Sequence, residues 1–489
     1  MVYKYVVSLW VGALRAVLEA VKNTMQRHFA DAWLSRQLDS DLFDHKQIMK
    51  IFWPLLLDKF FIFLINAIST SLVSSLGPEA MAAVSMVGTI GGIATSVLFA
   101  VAMGGGVLIA QAKGSGDEDR LNTAVCQLTT LCVIAAALIA TPLLLFAEPL
   151  MNMIYPKAEP LLIEYAVTYL RLMMTSMFLF SIFEGIFVSM RSVGDSRSSL
   201  ILTVFINVVH LLCSILFINV LGLGVSGSGL SYITARALGC FVALYMLCRR
   251  SSHFKVRARA FFRLQGDIVK PIIRLGVPFS IEQLIFQGGM LIVSRYLNGW
   301  GGSPELGTLA VAMHGVTNSY FTLYTAPIDT VNALATTICG QCIGARRLDL
   351  FRRYTSSFIR VGRVVALIVV VILTLLAPLA LQMYHPDPDG LHMIWQMLLI
   401  GVLPLPLIWC DAMVPSYALK AAGDANYTTI VSMTALIIGR VILGYVFTVT
   451  LDMGPVGIWV AQLVEWVYRA VLNHFRLRGT RWVKPELSK

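Results

Sequence analysis

The sequence predicts an all-α polytopic membrane protein whose twelve transmembrane helices form two parallel six-helix repeats. Three observations carry that prediction. Of 489 residues, 57% are hydrophobic and 13% charged, with mean hydropathy +0.75, against roughly 25% charged in a soluble domain. Apolar stretches of about 20 residues, enough to span a bilayer, recur along the chain. Motifs of the first half also return in the second at offsets of 224 to 230 residues.

Residues 1–50 carry an apolar run, Tyr5 to Leu14, behind Lys4. It is too short to span and runs into Arg15, Glu19 and Lys22, which predicts an interfacial amphipathic helix in a cytoplasmic segment rather than a signal peptide. Spanning stretches follow at about 51–75, 84–112, 121–146, 161–188, 199–220 and 227–248, and these form the first lobe, 51–248. A basic linker, 249–270, contains Arg249, Arg250, Lys255, Arg257, Arg259 and Arg263. The second lobe, 271–475, has stretches at about 271–298, 306–339, 354–382, 391–418, 426–449 and 454–475. A basic tail, 476–489, ends the chain.

The net charge of +11 is distributed as membrane topology requires, not as a nucleic-acid surface. Lys113, Arg120, Arg191, Arg197, the linker, Arg346, Arg347, Arg352, Arg353, Lys420 and the tail fall on one side, and only Lys157 on the other. Both termini are therefore expected in the cytoplasm, with the protein in the cell (inner) membrane. The eight cysteines are scattered through apolar segments, and the CxxC of Cys339 and Cys342 has no second pair or histidine cluster. No cofactor or structural metal is expected. Without HExxH, GxSxG or a comparable constellation, neither is an enzyme.

The stretch Trp53 to Phe60, WPLLLDKF, organises the rest. It sets Asp58 four residues after Pro54, and Val277 to Leu284, VPFSIEQL, repeats the device with Pro278 and Glu282. A carboxyl within a membrane helix costs roughly 2.5 to 3.5 kcal/mol on insertion scales, so it marks function by default. The nearby proline frees a helical carbonyl. AQAKGSGDEDRL (110–121) echoes GQCIGARRLDLF (340–351), MRSVGD (190–195) echoes LKAAGD (419–424), and GVSG (224–227) echoes GPVG (454–457). An even number of helices per repeat leaves both copies parallel, an architecture in which transporters bind at the repeat interface.

These residues resemble the multidrug and toxic compound extrusion (MATE) family over about Asp41 to Trp482. The resemblance rests on GVPFSIEQLIFQGG (276–289), TAPIDTVNALATTICGQCIGARR (325–347), VPSYALKAAGDANYT (414–428) and VGIWVAQLVEWVYRA (456–470). It implies two lobes around a cavity and influx of H+ or Na+ driving export of amphiphilic, cationic compounds by a monomer in the bilayer. A lipid-linked-intermediate flippase of related fold is the alternative. Glu282 matches an acidic position of the seventh helix, and Asp58 holds the equivalent place in the first. Relatives commonly carry aspartate where Ser69 stands, about 16 Å from Asp58 at 1.5 Å per residue. There Ser69, with Asn66 one turn away, could offer a coupling cation only neutral oxygens. Symmetry assigns Asp58 the role of Glu282, with the two acids facing one cavity.

Asn207 matches a family asparagine and can serve as a cation ligand or as a helix–helix hydrogen bond. Glu184 suits cavity lining or a pair with a neighbouring helix. Asp329, Asp411, Gln283 and Gln287 are cavity-lining candidates. Arg440 with Glu465, and Glu465 with Arg469 at i, i+4, read as buried structural pairs. Lys59 either points about 100° from Asp58 or neutralises it.

Overall fold

A computed structural model describes residues 27–74, 76–156, 159–250, 254–255, 259–262, 264–381 and 388–483. The described residues are helical and contain no strand. Twelve long helices are labelled α1 to α12. In the first half they are α1 His45–Ser74, α2 Pro78–Ser115, α3 Glu118–Leu145, α4 Pro160–Ser192, α5 Ser196–Ser214 with a π turn Ile215–Val220, and α6 Gly224–Tyr245 with a π turn Met246–Arg250. In the second they are α7 Gly266–Asn298, α8 Pro304–Gly344, α9 Leu348–Leu381, and α10 Pro388–Val402 continued through a π turn Leu405–Trp409 into Cys410–Ala421. The last two are α11 Ala425–Leu436 with π turns Ile437–Leu443 and Val446–Thr450, and α12 Gly454–Arg478. Among the described residues, nine of these (α2 to α7 and α9 to α11) are long and apolar enough to cross a membrane. Helix α8 is rich in Thr and Asn, and α12 carries Glu465, Arg469 and Arg476.

The chain divides into two units, 1–50 and 51–489. In the first, a helix Arg27–Leu38 precedes a turn in which Ser40 Oγ accepts from the Leu42 and Phe43 N–H groups at 3.1 Å. The Asp44 carboxylate accepts from the Lys46 N–H at 3.2 Å and Gln47 Oε1 accepts from the Asp44 N–H at 3.5 Å, a capping box that starts α1. The helix expected within Tyr5 to Lys22 lies outside the described residues, as do Lys157, Arg257 and the tail from Lys484.

In the second unit the repeats show in backbone geometry. Gly194 and Gly423, at matching places in MRSVGD and LKAAGD, have φ of 90° and 91°. In both turns the residue after the glycine, Asp195 or Asp424, donates its N–H to Met190 or Leu419 at 3.0 Å. Gly224 and Gly454 have φ of 56° and 57°, and the π turns at Ile215–Val220 and Val446–Thr450 precede them at the same interval. A Cβ on Gly227 would lie 2.8 Å from the Phe217 carbonyl oxygen, and one on Gly457 2.9 Å from that of Phe447. Only glycine tolerates such approaches, which is why these residues recur.

Apolar side chains gather in separate clusters. One is built from the first lobe, with Leu98, Leu128, Tyr169 and Ile186 among its buried members. Another, from α8, α9, α10 and α12, contains Trp459 and Trp466. Helices α2 and α7 join them at a seam where a Cβ on Gly104 would meet the Gly276 nitrogen at 2.7 Å. Thus Gly104 to Gly106 serve close helix packing. At one end of the seam Gln111 Nε2 donates to the Ala421 carbonyl at 2.7 Å and Gln341 Nε2 to the Ser192 carbonyl at 3.2 Å. Each glutamine thereby caps the fourth helix of the opposite repeat. The segment read as linker is docked on α3, through Lys255 N–H to Asn122 (2.7 Å) and Gln265 N–H to Gln127 (3.2 Å). Helix α7 begins at Gly266, inside that segment, so Pro271 is helical.

Candidate functional site

Glu282, on α7, does not stand alone. Lys420, in the last turn of α10, lies 3.0 Å from Oε2 and 3.2 Å from Oε1, and the Thr429 hydroxyl of α11 donates to Oε2 at 3.4 Å. The Lys420 ammonium also sits 4.9 Å from the Phe279 ring and 5.3 Å from the Tyr417 ring. Reading Lys420 as a cytoplasmic loop charge is therefore corrected. The LKAAGD turn leaves it on the helix, and its side chain is turned inward and buried.

The first lobe gathers similar residue types around its own acid. Asp58, on α1, is buried, and the groups that act on it electrostatically are Thr203 of α5, Arg191 at the end of α4 and the adjacent Lys59. Arg191 and Lys420 are the basic second residues of MRSVGD and LKAAGD. Each lobe thus presents an acid from its first helix, a threonine from its fifth and a base from the end of its fourth. The two sets differ in closeness. Asp58 Oδ1 has no hydrogen-bond partner among the described residues, whereas both Glu282 oxygens are engaged. Asp58 and Glu282 each interact with a base and a hydroxyl of their own lobe.

Asp58 belongs to a wider group of charges. Lys59 is within electrostatic reach of Arg191, Asp329, Asp58 and Glu184. Buried Glu184 interacts with Arg191, Asp58 and Lys59. Asp329, two residues after Pro327 in α8, accepts from Asn332 Nδ2 at 3.2 Å and brings the second repeat into the group. Three acids and two bases from α1, α4 and α8 therefore surround one region, where the low dielectric makes each charge sensitive to the others.

The remaining candidates are dispersed. Asp411 is ion-paired with Arg363 of α9, whose Nε and Nη2 donate to it at 2.7 to 3.1 Å. Asn207 donates to the Thr203 carbonyl of its own helix at 2.8 Å. Gln283 is exposed, and Gln287 is half-buried with its amide 4.0 Å from where a Cβ on Gly92 of α2 would stand. The Asn66 side chain lies outside the described residues. Ser69 Oγ is buried without a partner and lines a first-lobe cavity of about 300 Å3 with Tyr169, His210, Ser214, Ser228 and Tyr232. Glu465 joins Arg440 at 2.6 Å and Arg469 at 2.8 Å, the structural triad expected. The cysteines are free among the described residues.

Sequence reasoning missed Arg191 and Lys420 as partners of the acids, and His210 as a lining residue of the first-lobe cavity. The available signal for the first pair was the shared basic second residue of the two GD motifs.

Comparison with known proteins follows the same duplication. The MatE family model matches twice, over residues 54–216 and 278–446. The chain is 22% identical to a probable multidrug resistance protein, YoeA, of Bacillus subtilis, covering 85% of this chain and 89% of that protein. It is also 22% identical to a probable multidrug resistance protein, NorM, of Thermotoga maritima, over 90% and 93%. Among solved structures it resembles an outward-facing multidrug resistance MATE family transporter of the MOP superfamily, with TM-score 0.81 and 21% identity over 91% of this chain and 96% of that one. A MOP superfamily transporter from Pyrococcus furiosus gives TM-score 0.80 at 20% identity, with the same coverage. With the family model matching each repeat at its acid-bearing helices, the chain belongs to the MatE family and is a multi-pass membrane transporter of the multidrug and toxic compound extrusion type.

Proposed function

We propose that this transporter is a cation-coupled antiporter, using H+ or Na+, that exports amphiphilic, cationic compounds by alternating access of its two lobes. The observation supporting it is the pair of acid–threonine–base sets at Asp58, Thr203 and Arg191 and at Glu282, Thr429 and Lys420. In each set the base comes from the helix end that the opposite lobe's glutamine caps. Separation of the lobes there releases the cap, frees the base to withdraw, and leaves an acid that a coupling cation or a cationic substrate can neutralise. A step that exchanges the protein's own cation for an incoming one gives the differential affinity between two states that coupling requires. The multidrug resistance names of the relatives accord with amphiphilic cargo. In this reading the protein acts as a monomer in the cell membrane with both termini cytoplasmic, and catalyses no covalent chemistry.

The test is transport of ethidium by purified protein in proteoliposomes under imposed proton or sodium gradients. Wild type is expected to respond to one gradient, and Glu282→Gln to lose the response while remaining folded. If the purified variant transports at the wild-type rate under the gradient, Glu282 is structural and this coupling assignment fails.

A further inference from the structure

We propose that the segment joining the two lobes is an anionic-lipid anchor, in which Phe262 and Leu264 enter the bilayer at its cytoplasmic boundary and the bases around them take the phosphates of anionic phospholipids. The argument starts from Phe262. It is 90% exposed, more than any other large apolar side chain among the described residues, and Leu264, two residues on, is 50% exposed. Apolar residues exposed singly on a surface need no explanation. This pair, however, stands in the most basic stretch of the chain. Residues 249–274 hold eight Lys and Arg against one acid, Asp267.

The exposure does not come from a loose loop. Phe254 is buried in the first-lobe cluster and Phe261 packs against it. On α3, Asn122 accepts from the Lys255 N–H at 2.7 Å and Glu118 from Lys255 Nζ at 3.3 Å. Further along the same helix, the Thr130 hydroxyl donates to the Phe261 carbonyl at 2.7 Å and Gln127 accepts from the Gln265 N–H at 3.2 Å. These bonds also fix the depth of the segment. A hydrocarbon core of roughly 30 Å takes about 20 helical residues, and counting back from the end of α3 at Leu145 sets its boundary near Cys126. Gln127 and Thr130, which hold the short helix Arg259–Phe262 and the residues after it, therefore stand just inside the boundary. Phe262 lies at the depth where aromatic side chains collect in membrane proteins.

The charges decide which lipid covers it. Lys255 is paired with Glu118, while Arg249, Lys270 and Arg274 are exposed. An apolar pair among cations is complementary to a surface with hydrocarbon below and phosphate above, the arrangement by which interfacial helices hold a leaflet. A zwitterionic leaflet supplies the same hydrocarbon, but its own headgroup cations already balance its phosphates. A second copy of this chain would bring a positive segment against a positive segment, and like charges so placed repel. Anionic phospholipid satisfies both features at once, and each base near such a leaflet adds about fivefold to affinity.

The anchor rests on the chain spanning a bilayer and is independent of cargo and coupling, so the test uses no gradient. Full-length protein in a cysteine-free background, with a bimane fluorophore on Leu264→Cys, is placed in phosphatidylcholine nanodiscs. These contain dibrominated phosphatidylglycerol or dibrominated phosphatidylcholine at equal mole fraction. Quenching at this position is expected to show about fivefold or greater preference for phosphatidylglycerol, reduced at high salt. The same fluorophore on Leu375→Cys, an exposed apolar site of α9, should be quenched equally by the two lipids. Arg257→Gln, Arg259→Gln and Arg263→Gln together should remove most of the preference at Leu264 and leave quenching by phosphatidylcholine in place. Phe262→Ser should weaken quenching by both lipids. Equal quenching by the two lipids at Leu264, or a preference that survives the triple replacement in folded protein, overturns the proposal. Absence of quenching by either lipid overturns it as well, and a disulfide between copies through Leu264→Cys would then identify a second copy as the cover.

Discussion

The pairing of Glu282 with Lys420 can be measured apart from transport. At the observed 3.0 Å and an effective dielectric of about 20, Coulomb's law gives roughly 5 to 6 kcal/mol of attraction. The side chains are 15% and 9% exposed, so both have lost most of their hydration, and that loss offsets part of the attraction. A net coupling of about 2 to 3 kcal/mol remains, consistent with the 3 to 5 kcal/mol typical of breaking one partner of a buried pair. The perturbations are Glu282→Gln, Lys420→Met and their combination, and the assay is reversible unfolding in mixed micelles titrated with dodecyl sulfate. Lys420→Met strands the carboxylate with only the Thr429 hydroxyl, and Glu282→Gln strands the ammonium between Phe279 and Tyr417. Each single change should therefore cost about 2 to 4 kcal/mol, and the double change no more than the worse of them. Single effects that add to within about 0.5 kcal/mol would show that the contact carries no coupling, and the exchange of cations at Glu282 would lose its basis.

Other expectations follow from geometry already given. Asp58→Asn should impair gradient-driven ethidium transport about as severely as Glu282→Gln, while Ser69→Ala, which touches only the cavity wall, should leave most of that rate; the opposite order refutes the assignment to Asp58. In a cysteine-free background, Ala110→Cys with Gly340→Cys should cross-link in high yield on mild oxidation. A Cβ at position 340 would lie 2.9 Å from that of Ala110, so a separation of roughly 0.6 Å brings the pair into the 3.5 to 4.5 Å range of a disulfide, and the absence of a cross-link would mean the lobes do not meet there. In the same background Lys255→Cys should resist an impermeant maleimide in intact cells and react after permeabilisation. Labelling without permeabilisation would invert the proposed topology.

The parts of this molecule legible in sequence are those where one residue type alone can do the job. Gly194, Gly423, Gly224 and Gly454 hold positive φ, so duplication preserved them and the repeat could be read from them. Acids in apolar helices were legible because their cost requires a reason. The Glu465 triad was legible, since Arg469 stands one turn away on the same helix and Arg440 is the one base within the apolar stretch before it. Other partners drawn from different helices were not. Lys420 and Arg191 lie beside turn motifs, where a base reads as a loop charge, and only the packed helix shows the side chain directed inward. Asp411 and Arg363 failed for the same reason, because nothing in linear spacing says which faces of α9 and α10 meet.

The asymmetry between the lobes was beyond sequence reasoning because it is a difference of volumes, and it yields the most direct structural test of the cavity. The second lobe fits Trp459 by placing Gly401 opposite, where a Cβ would come within 2.4 Å of the indole. The first lobe reverses the sizes, with Leu172 against Gly229, whose own Cβ would fall 2.6 Å from Leu172 Cδ1. Gly229→Trp alone should therefore misfold or lose several kcal/mol through overpacking. Combined with Leu172→Gly it reproduces the arrangement of the other lobe, and the indole should be accommodated by extending past Val84, a lining residue whose counterpart His314 contacts Trp459. The added glycine costs about 1 kcal/mol in a helix interior, so the double variant should fold with a modest loss of stability and a filled cavity. The Glu282–Lys420 coupling energy should stay unchanged. If the double variant loses as much stability as Gly229→Trp alone, Leu172 and Gly229 do not occupy the places of Gly401 and Trp459, and the size reversal between the lobes is refuted.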